Sequence, residues 1–529
     1  MRRSVKTTGI VIVITTIVTL FVIASSHSQN KPKPTVGVKN NDNQLPEDKI
    51  RLEKEKADAL EQLLGDARVT QPEIFAYVIF QLLESGVIDD KKKKAELIEE
   101  VFNSAYSTQH PLKLKDFNDD TDTRSGMLQY GLGLNLDRLS IQCRAVREMI
   151  AIDKQKAREM FRDILIPEMK SLKCEDPMIP DVSIYYDTLI AITGRTFSED
   201  EVKKREHLIL TEQALSGIAS PLQLAPATKV IASIKAQPAD ISSLLGIFSK
   251  RMNDMSCDPR PFLWVLRTLD SDIKTLAIYC KGKGIPVDYL IDSYRTFLAG
   301  NMSKNWCDDY PDKSKVIAKV TKQSDSFNSL LGEILGESSK ILPLQVKELM
   351  PKSFNGSLQI YEYSQNPTVQ NLGNGVRSLI YAEDGKGNQR TISEREGKLW
   401  QSKLSSYYHS LISWTKDHDF SDVDYFHKKL LLMGILLQIT PKTNPQYQKI
   451  ISDYMYLLSQ DRSQQENAVE WLWEALVPFS RMEYIKQSHE DILQIYLESP
   501  SVSLQTLAKT KLYLKKYKDS AEKSTISKP

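Results

Sequence analysis

The chain has 529 residues, 41% of them hydrophobic, with 70 Lys and Arg against 68 Asp and Glu. That length accommodates two or three domains or one long array, and a net charge of +2 supplies no basic field to hold nucleic acid. Only 22 glycines and few alternating β-branched runs argue against a sandwich, barrel or propeller.

Arg2, Arg3 and Lys6 precede an apolar run at Ile10–Ala24, which is followed by Ser25 and Ser26. A cationic start, an apolar middle and small residues at the exit are the order of an export signal. Fifteen residues of helix reach roughly 22 Å, short of a bilayer core of about 30 Å. Residues 1–28 are therefore expected to be a signal peptide, with a transmembrane anchor as the rival. Either places the rest at the membrane or beyond it, in the periplasm or facing the exterior. Residues 29–46, with Lys-Pro-Lys-Pro at 31–34, read as a flexible linker.

From residue 47 to 310 the pattern predicts an N-terminal helical domain. Thr70-Gln71-Pro72-Glu73 and Ser198-Glu199-Asp200-Glu201 have the form of capping boxes. Lys91–Lys94 follows Asp89-Asp90 and precedes Glu96, Glu99 and Glu100, the pattern of a solvated helix start. Asp119, Asp120 and Asp122 lack the further ligands of an EF-hand and read as a surface loop. Leu139, Cys143, Val146 and Ile150 share one helical face. Arg144 and Arg147 on that helix are expected to form ion pairs with Glu148, Asp153 or Asp176. Pro167, Pro177 and Pro180 interrupt the helices that follow.

The five cysteines, Cys143, Cys174, Cys257, Cys280 and Cys307, form no CxxC pair. In an exported chain they are expected as disulfides, Cys143 with Cys174 and Cys257 with Cys307, leaving Cys280. The second pair flanks an expected helical hairpin, 261–279 and 286–299, that would bring its ends together.

Residues 311–390 read as a connecting region. Asn371-Leu372-Gly373-Asn374-Gly375 and Glu383-Asp384-Gly385-Lys386-Gly387-Asn388 suggest glycine turns and a small β-hairpin or loop near 354–390. Residues 391–518 read as a C-terminal helical domain and 519–529 as a polar tail. The fold class expected is all-α, an irregular α-solenoid-like array of antiparallel helix pairs without a fixed repeat period.

The sequence lacks GxxxxGK[ST], HExxH, GxSxG and a Rossmann glycine motif, so no cofactor and no familiar enzyme class is indicated. His409, His418 and His427, with Asp417 and Asp419, are candidate metal ligands around one helical turnaround, set against ordinary packing roles. Trp471 is a candidate binding residue, because Val469, Leu472, Trp473 and Leu476 define the inner face of its helix and leave it outside. The function expected is a scaffold that binds a protein or peptide partner at the bacterial cell envelope. The alternatives are an envelope-glycan enzyme with two unrecognised carboxylates and a purely structural envelope protein.

Overall fold

The computed structural model describes residues 44–116, 132–172, 176, 178–302 (except 267), 366–383, 389–392, 397–416, 422–460, 474–479 and 489–526, with scattered residues between 307 and 351. Two compact units divide the chain at Glu55 and Lys56. The described part of the first is the start of helix α1 (Gln44–Arg68), where Arg51 and Glu55 lie 4.0 Å apart.

The second unit is an all-α, irregular helical array. It continues through α2 (Pro72–Glu84), α3 (Lys91–Ser104), α4 (Arg138–Ile150), α5 (Lys154–Arg162), α6 (Ser183–Arg195), α7 (Glu199–Lys203), α8 (Glu206–Ser216), α9 (Leu224–Ser233) and α10 (Pro238–Asn253). There follow α11 (Pro259–Val265), α12 (Leu269–Gly282), α13 (Asp288–Met302), α14 (Pro367–Ile380), α15 (Lys398–Ser413), α16 (Asp422–Ile439), α17 (Tyr447–Ser459), α18 (His489–Leu497) and α19 (Val502–Ile526). Packing follows chain order. One succession runs α2, α3, α4, α6, α9, α12; a second runs α8, α10, α13; a third runs α16, α17, α18, α19. The last helix also returns to the first ones: α19 packs on α2, Ser503 Oγ donates to Gln71 Oε1 at 2.6 Å, and Lys509 Nζ lies 2.7 Å from Asp66.

Sequence chemistry accounts for many helix starts. Asp90 accepts from Lys93 N at 2.7 Å, and Lys93 reaches Glu61 at 3.0 Å, so the lysine run at 91–94 is a capped, solvated start. Ser198 and Glu201 exchange both bonds of a capping box. The box expected at Thr70–Glu73 does not form: Thr70 bonds back to Ala67 O, and Glu73 Oε1 instead accepts from Gln109 N at 2.9 Å. The stripe on α4 is buried as its spacing predicts. Its arginine does not pair locally. Arg144 crosses to α2, 4.0 Å over the Phe80 ring and in ion-pair contact with Glu84. Arg158 repeats the arrangement, 4.6 Å over Phe197 and 2.7 Å from Glu201.

Three further expectations are corrected. Cys143 and Cys257 are thiols, not disulfide halves. Cys143 is fully buried inside α4, and Cys257 Sγ–H donates to Asn301 Oδ1 at 2.9 Å. The hairpin does bring Cys257 to the end of α13, but the closure is a hydrogen bond; its first arm is also broken into α11 and α12. Cys174 lies outside the described residues, and only the backbone of Cys307 is described, paired with Met350. Cys280 is a buried thiol.

The transmembrane expectation is likewise corrected: among the described residues no helix is long and apolar enough to cross a membrane. Residues 10–24 themselves lie outside the described residues. The third concerns 371–375. The hairpin near 354–390 exists as Tyr381–Glu383 paired antiparallel with Gln389–Thr391, but the glycines expected as turns sit inside α14. Gly375 is there because α15 comes close. A Cβ at this position would stand 2.7 Å from Tyr407 Cδ2 and 3.0 Å from Cε2. Asp240 lies inside α10 and pairs with Arg205 at 2.5 Å.

Gly375→Ala sets a gain in helix propensity of about 1 kcal/mol against a clash with a buried ring. The clash is expected to dominate, because the ring of Tyr407 is buried and its near edge would stand 2.7 Å from the new methyl. Urea denaturation should show a net loss of about 1–3 kcal/mol, and an unchanged or higher stability would contradict this packing.

Candidate functional site

A cleft of about 360 Å³ opens where the helical succession is interrupted. Its first wall is the chain after α5. Ile164 is buried and anchors the segment; Leu165 is 77% exposed; residues 166–172 then run without helix or strand. Pro167 fixes its own φ and pushes Ile166 away from helical geometry. The segment is pinned at its far end, where Leu172 N donates to Asp258 Oδ2 at 2.9 Å.

The second wall is a 3₁₀ turn, Pro221–Gln223, after α8. Gln223 Oε1 accepts from Ala219 N at 2.8 Å and Ser220 N at 2.9 Å, while its Nε2 donates to Tyr186 Oη at 3.1 Å. Three bonds of one side chain thereby fix the turn. The third wall is Ser256-Cys257-Asp258 leading into α11, with Pro261 beside it; Pro180 completes the lining from the strand Met178–Asp181. That strand pairs antiparallel with Lys113–Asp116.

The cleft combines apolar walls (Ile166, Met169, Leu172 and prolines) with Glu168, Lys170 and Asp258. Cys257 is its thiol. Burial first, and the adjacent Asp258 charge second, push this thiol up to about 12. It therefore stays protonated at neutral pH and is a poor nucleophile. The described lining contains no aromatic side chain.

Perturbed carboxyls occur elsewhere. Glu73 and Asp137, 3% and 6% exposed, flank the segment 109–111. Glu73 holds Gln109 N, and helix α4 begins with Arg138 N on His110 O at 2.9 Å. Asp137 caps α4 through Ser140 N at 3.0 Å. Burial raises Glu73 above the ordinary carboxyl range and pushes Asp137 up to about 6, the Ser140 bonds and Lys113 opposing it. Each is placed at a helix start and holds backbone, which is a structural use.

Of the residues singled out in the sequence, Cys257 lines the cleft, and the metal and binding candidates are not among its described lining. His409 is exposed on α15, its Nδ1 2.7 Å from Ser405 O one turn back. His418, Asp417, Asp419 and Trp471 lie outside the described residues, and of His427 only the helical backbone of α16 is described. Among the described residues no group of three or more His, Cys, Asp or Glu could hold a metal ion. The cleft was missed because its walls come from three distant segments. The usable signal was proline density at 167, 177, 180, 221, 259 and 261.

No family model, no curated protein and no solved structure matches this chain.

Two measurements follow from these geometries. Iodoacetamide at pH 8 should leave Cys143, Cys257 and Cys280 unmodified in the folded chain and label all three after unfolding, read by peptide mass spectrometry. Labelling of unfolded but unreduced protein distinguishes thiols from bridges. For Asp137, the native chain holds a proton between about pH 4 and 6 that the unfolded chain has released. Its contribution to stability is full below that window and is lost as pH rises through about 6. Asp137→Asn keeps the cap acceptor without the charge, so it should flatten this fall and raise stability at pH 7 by about 1–3 kcal/mol. A wild-type and variant that respond identically to pH would refute the assignment.

Proposed function

We propose that this chain is an exported helical scaffold that binds a protein or peptide partner at the bacterial cell envelope, and that the cleft at Ile166–Leu172 seats the partner. The observation that carries the reading is the composition of the cleft. Apolar side chains and prolines surround a few charged groups, on walls fixed before any ligand arrives. A preformed site of this kind suits an exposed segment of another chain. Its thiol is held protonated and engaged by Asn301, which supports binding over covalent chemistry. The export element rests on residues 1–28 of the sequence alone.

A glycan-acting enzyme is the second reading, favoured by one observation: Glu168 and Asp258 bring two carboxylates to the same cleft. A sugar ring presents a C–H face that aromatic side chains commonly cover, and the described lining offers none, so the peptide reading is preferred.

Ser256 is exposed on the cleft wall, and Ser256→Trp fills the opening without touching the core. Display of random twelve-residue peptides on the full-length chain should enrich a consistent set, and Ser256→Trp should abolish the enrichment. Absence of enrichment, or enrichment indifferent to the tryptophan, would sink the binding reading. Release of soluble sugars from envelope glycan that disappears in Glu168→Gln would establish the enzyme instead.

A further inference from the structure

Among the described residues, the first wall of the cleft carries main-chain groups that form no hydrogen bond. Ile164 N–H bonds to Phe161 O at 3.1 Å, and Leu172 N–H bonds to Asp258 at 2.9 Å. Between them, across residues 165–171, no main-chain N–H or C=O makes a hydrogen bond among the described residues. Ile166, Pro167, Glu168, Met169 and Lys170 all line the cleft in unbroken succession. In a non-helical chain, successive side chains alternate between faces. Lining by every residue in turn is the pattern expected of an extended segment whose main-chain edge borders the cleft.

We propose that this edge receives an extended peptide as an added strand, and that the peptide carries a lysine or arginine opposite Asp258. The proposal rests on the reading of the cleft as a peptide site and specifies how the peptide is held. Open N–H and C=O groups supply sequence-independent affinity, as at any uncovered strand edge. The edge is stiffened by Pro167 and pinned at Leu172, so little ordering is needed on binding. Charge complementarity sets the preference. The Asp258 carboxylate spends Oδ2 on Leu172 N–H and makes no other side-chain bond among the described residues, and Glu168 makes no ion pair there. Lys170 is the one ammonium in the described lining. Two carboxylates against one ammonium favour a cationic side chain. Met169, Leu172 and the neighbouring prolines take apolar side chains between the charged ones. Exposed Leu165 extends the apolar strip beyond the mouth.

The test uses the full-length chain and three synthetic probes with blocked ends. The first is an eight-residue peptide alternating valine with lysine. The second is its twin, N-methylated at alternate backbone nitrogens so that it cannot pair along an edge. The third alternates valine with glutamate. Affinity is read by fluorescence anisotropy, and the amides of residues 165–171 by hydrogen exchange and mass spectrometry. The lysine peptide should slow exchange across 165–171 by about tenfold, and both other probes should bind about tenfold more weakly. Met169→Pro, which deletes an N–H from the middle of the edge, should lose about tenfold in affinity at an unchanged melting temperature. Asp258→Asn should erase the preference for lysine over glutamate. If Met169→Pro unfolds, the methylated twin and the exchange pattern decide. Equal binding of the methylated twin, or protection elsewhere with 165–171 unchanged, overturns strand addition and leaves the peptide scaffold standing. No binding of any probe overturns strand addition, and the scaffold reading falls with it only if the display selection blocked by Ser256→Trp is also empty.

Discussion

A tyrosine ring that crosses the gap between two elements, and there finds a hydrogen-bond partner for its hydroxyl, sets the register of much of this array. Tyr186 on α6 meets Gln223 before α9; Tyr294 on α13 meets Asp270 on α12. Tyr408 on α15 meets Asp453 on α17, Tyr454 on α17 meets Glu474, and Tyr496 on α18 meets Ala475 O. Tyr513 on α19 reaches Lys56 O at 3.3 Å. Tyr186, Tyr294, Tyr454 and Tyr496 are fully buried. A buried hydroxyl left without a partner costs about 1–3 kcal/mol, so a helix that slid along its neighbour would lose both packing and this bond. Oily helices packed by volume alone would have many nearly equal arrangements. A polar atom at the tip of each large ring leaves few.

The interruption of this succession makes the cleft. After α5, the prolines deny the chain both helical φ/ψ continuity and a full set of donors. The two-stranded pairing of Lys113–Asp116 with Met178–Asp181 restores order only at the end of the detour. In between, residues 165–171 run beside the cleft with no main-chain hydrogen bond among the described residues. The same physics that prevents it from being a helix leaves it available to something else.

Local features were legible because their causes are local. The helical stripe on α4, the Ser198–Glu201 box, the capped lysine run and the helix-breaking prolines all follow from spacing within one turn or two. Misreadings arose where a residue answers to a distant partner. Gly375 looked like a turn because glycine signals turns, yet it is a gap for Tyr407. Glu73 looked like half of a capping box, yet it serves Gln109. Cys257 looked like half of a bridge, yet it donates to Asn301. Arg144 looked locally paired, yet it crosses to Phe80 and Glu84.

By itself, then, the order of residues determined the helical class, particular helix starts such as Ser198–Glu201 and Asp90, and the breaks at prolines. Propensity, periodicity and capping act over a few residues and need no knowledge of the rest of the chain. Only the tertiary structure decided that Ile166–Lys170, Pro221 and Ser256–Asp258 share one cleft, and that the C-terminal helix rests on α2. Those outcomes depend on which buried faces and hydroxyl acceptors meet across tens to hundreds of intervening residues, and no local pattern records that choice.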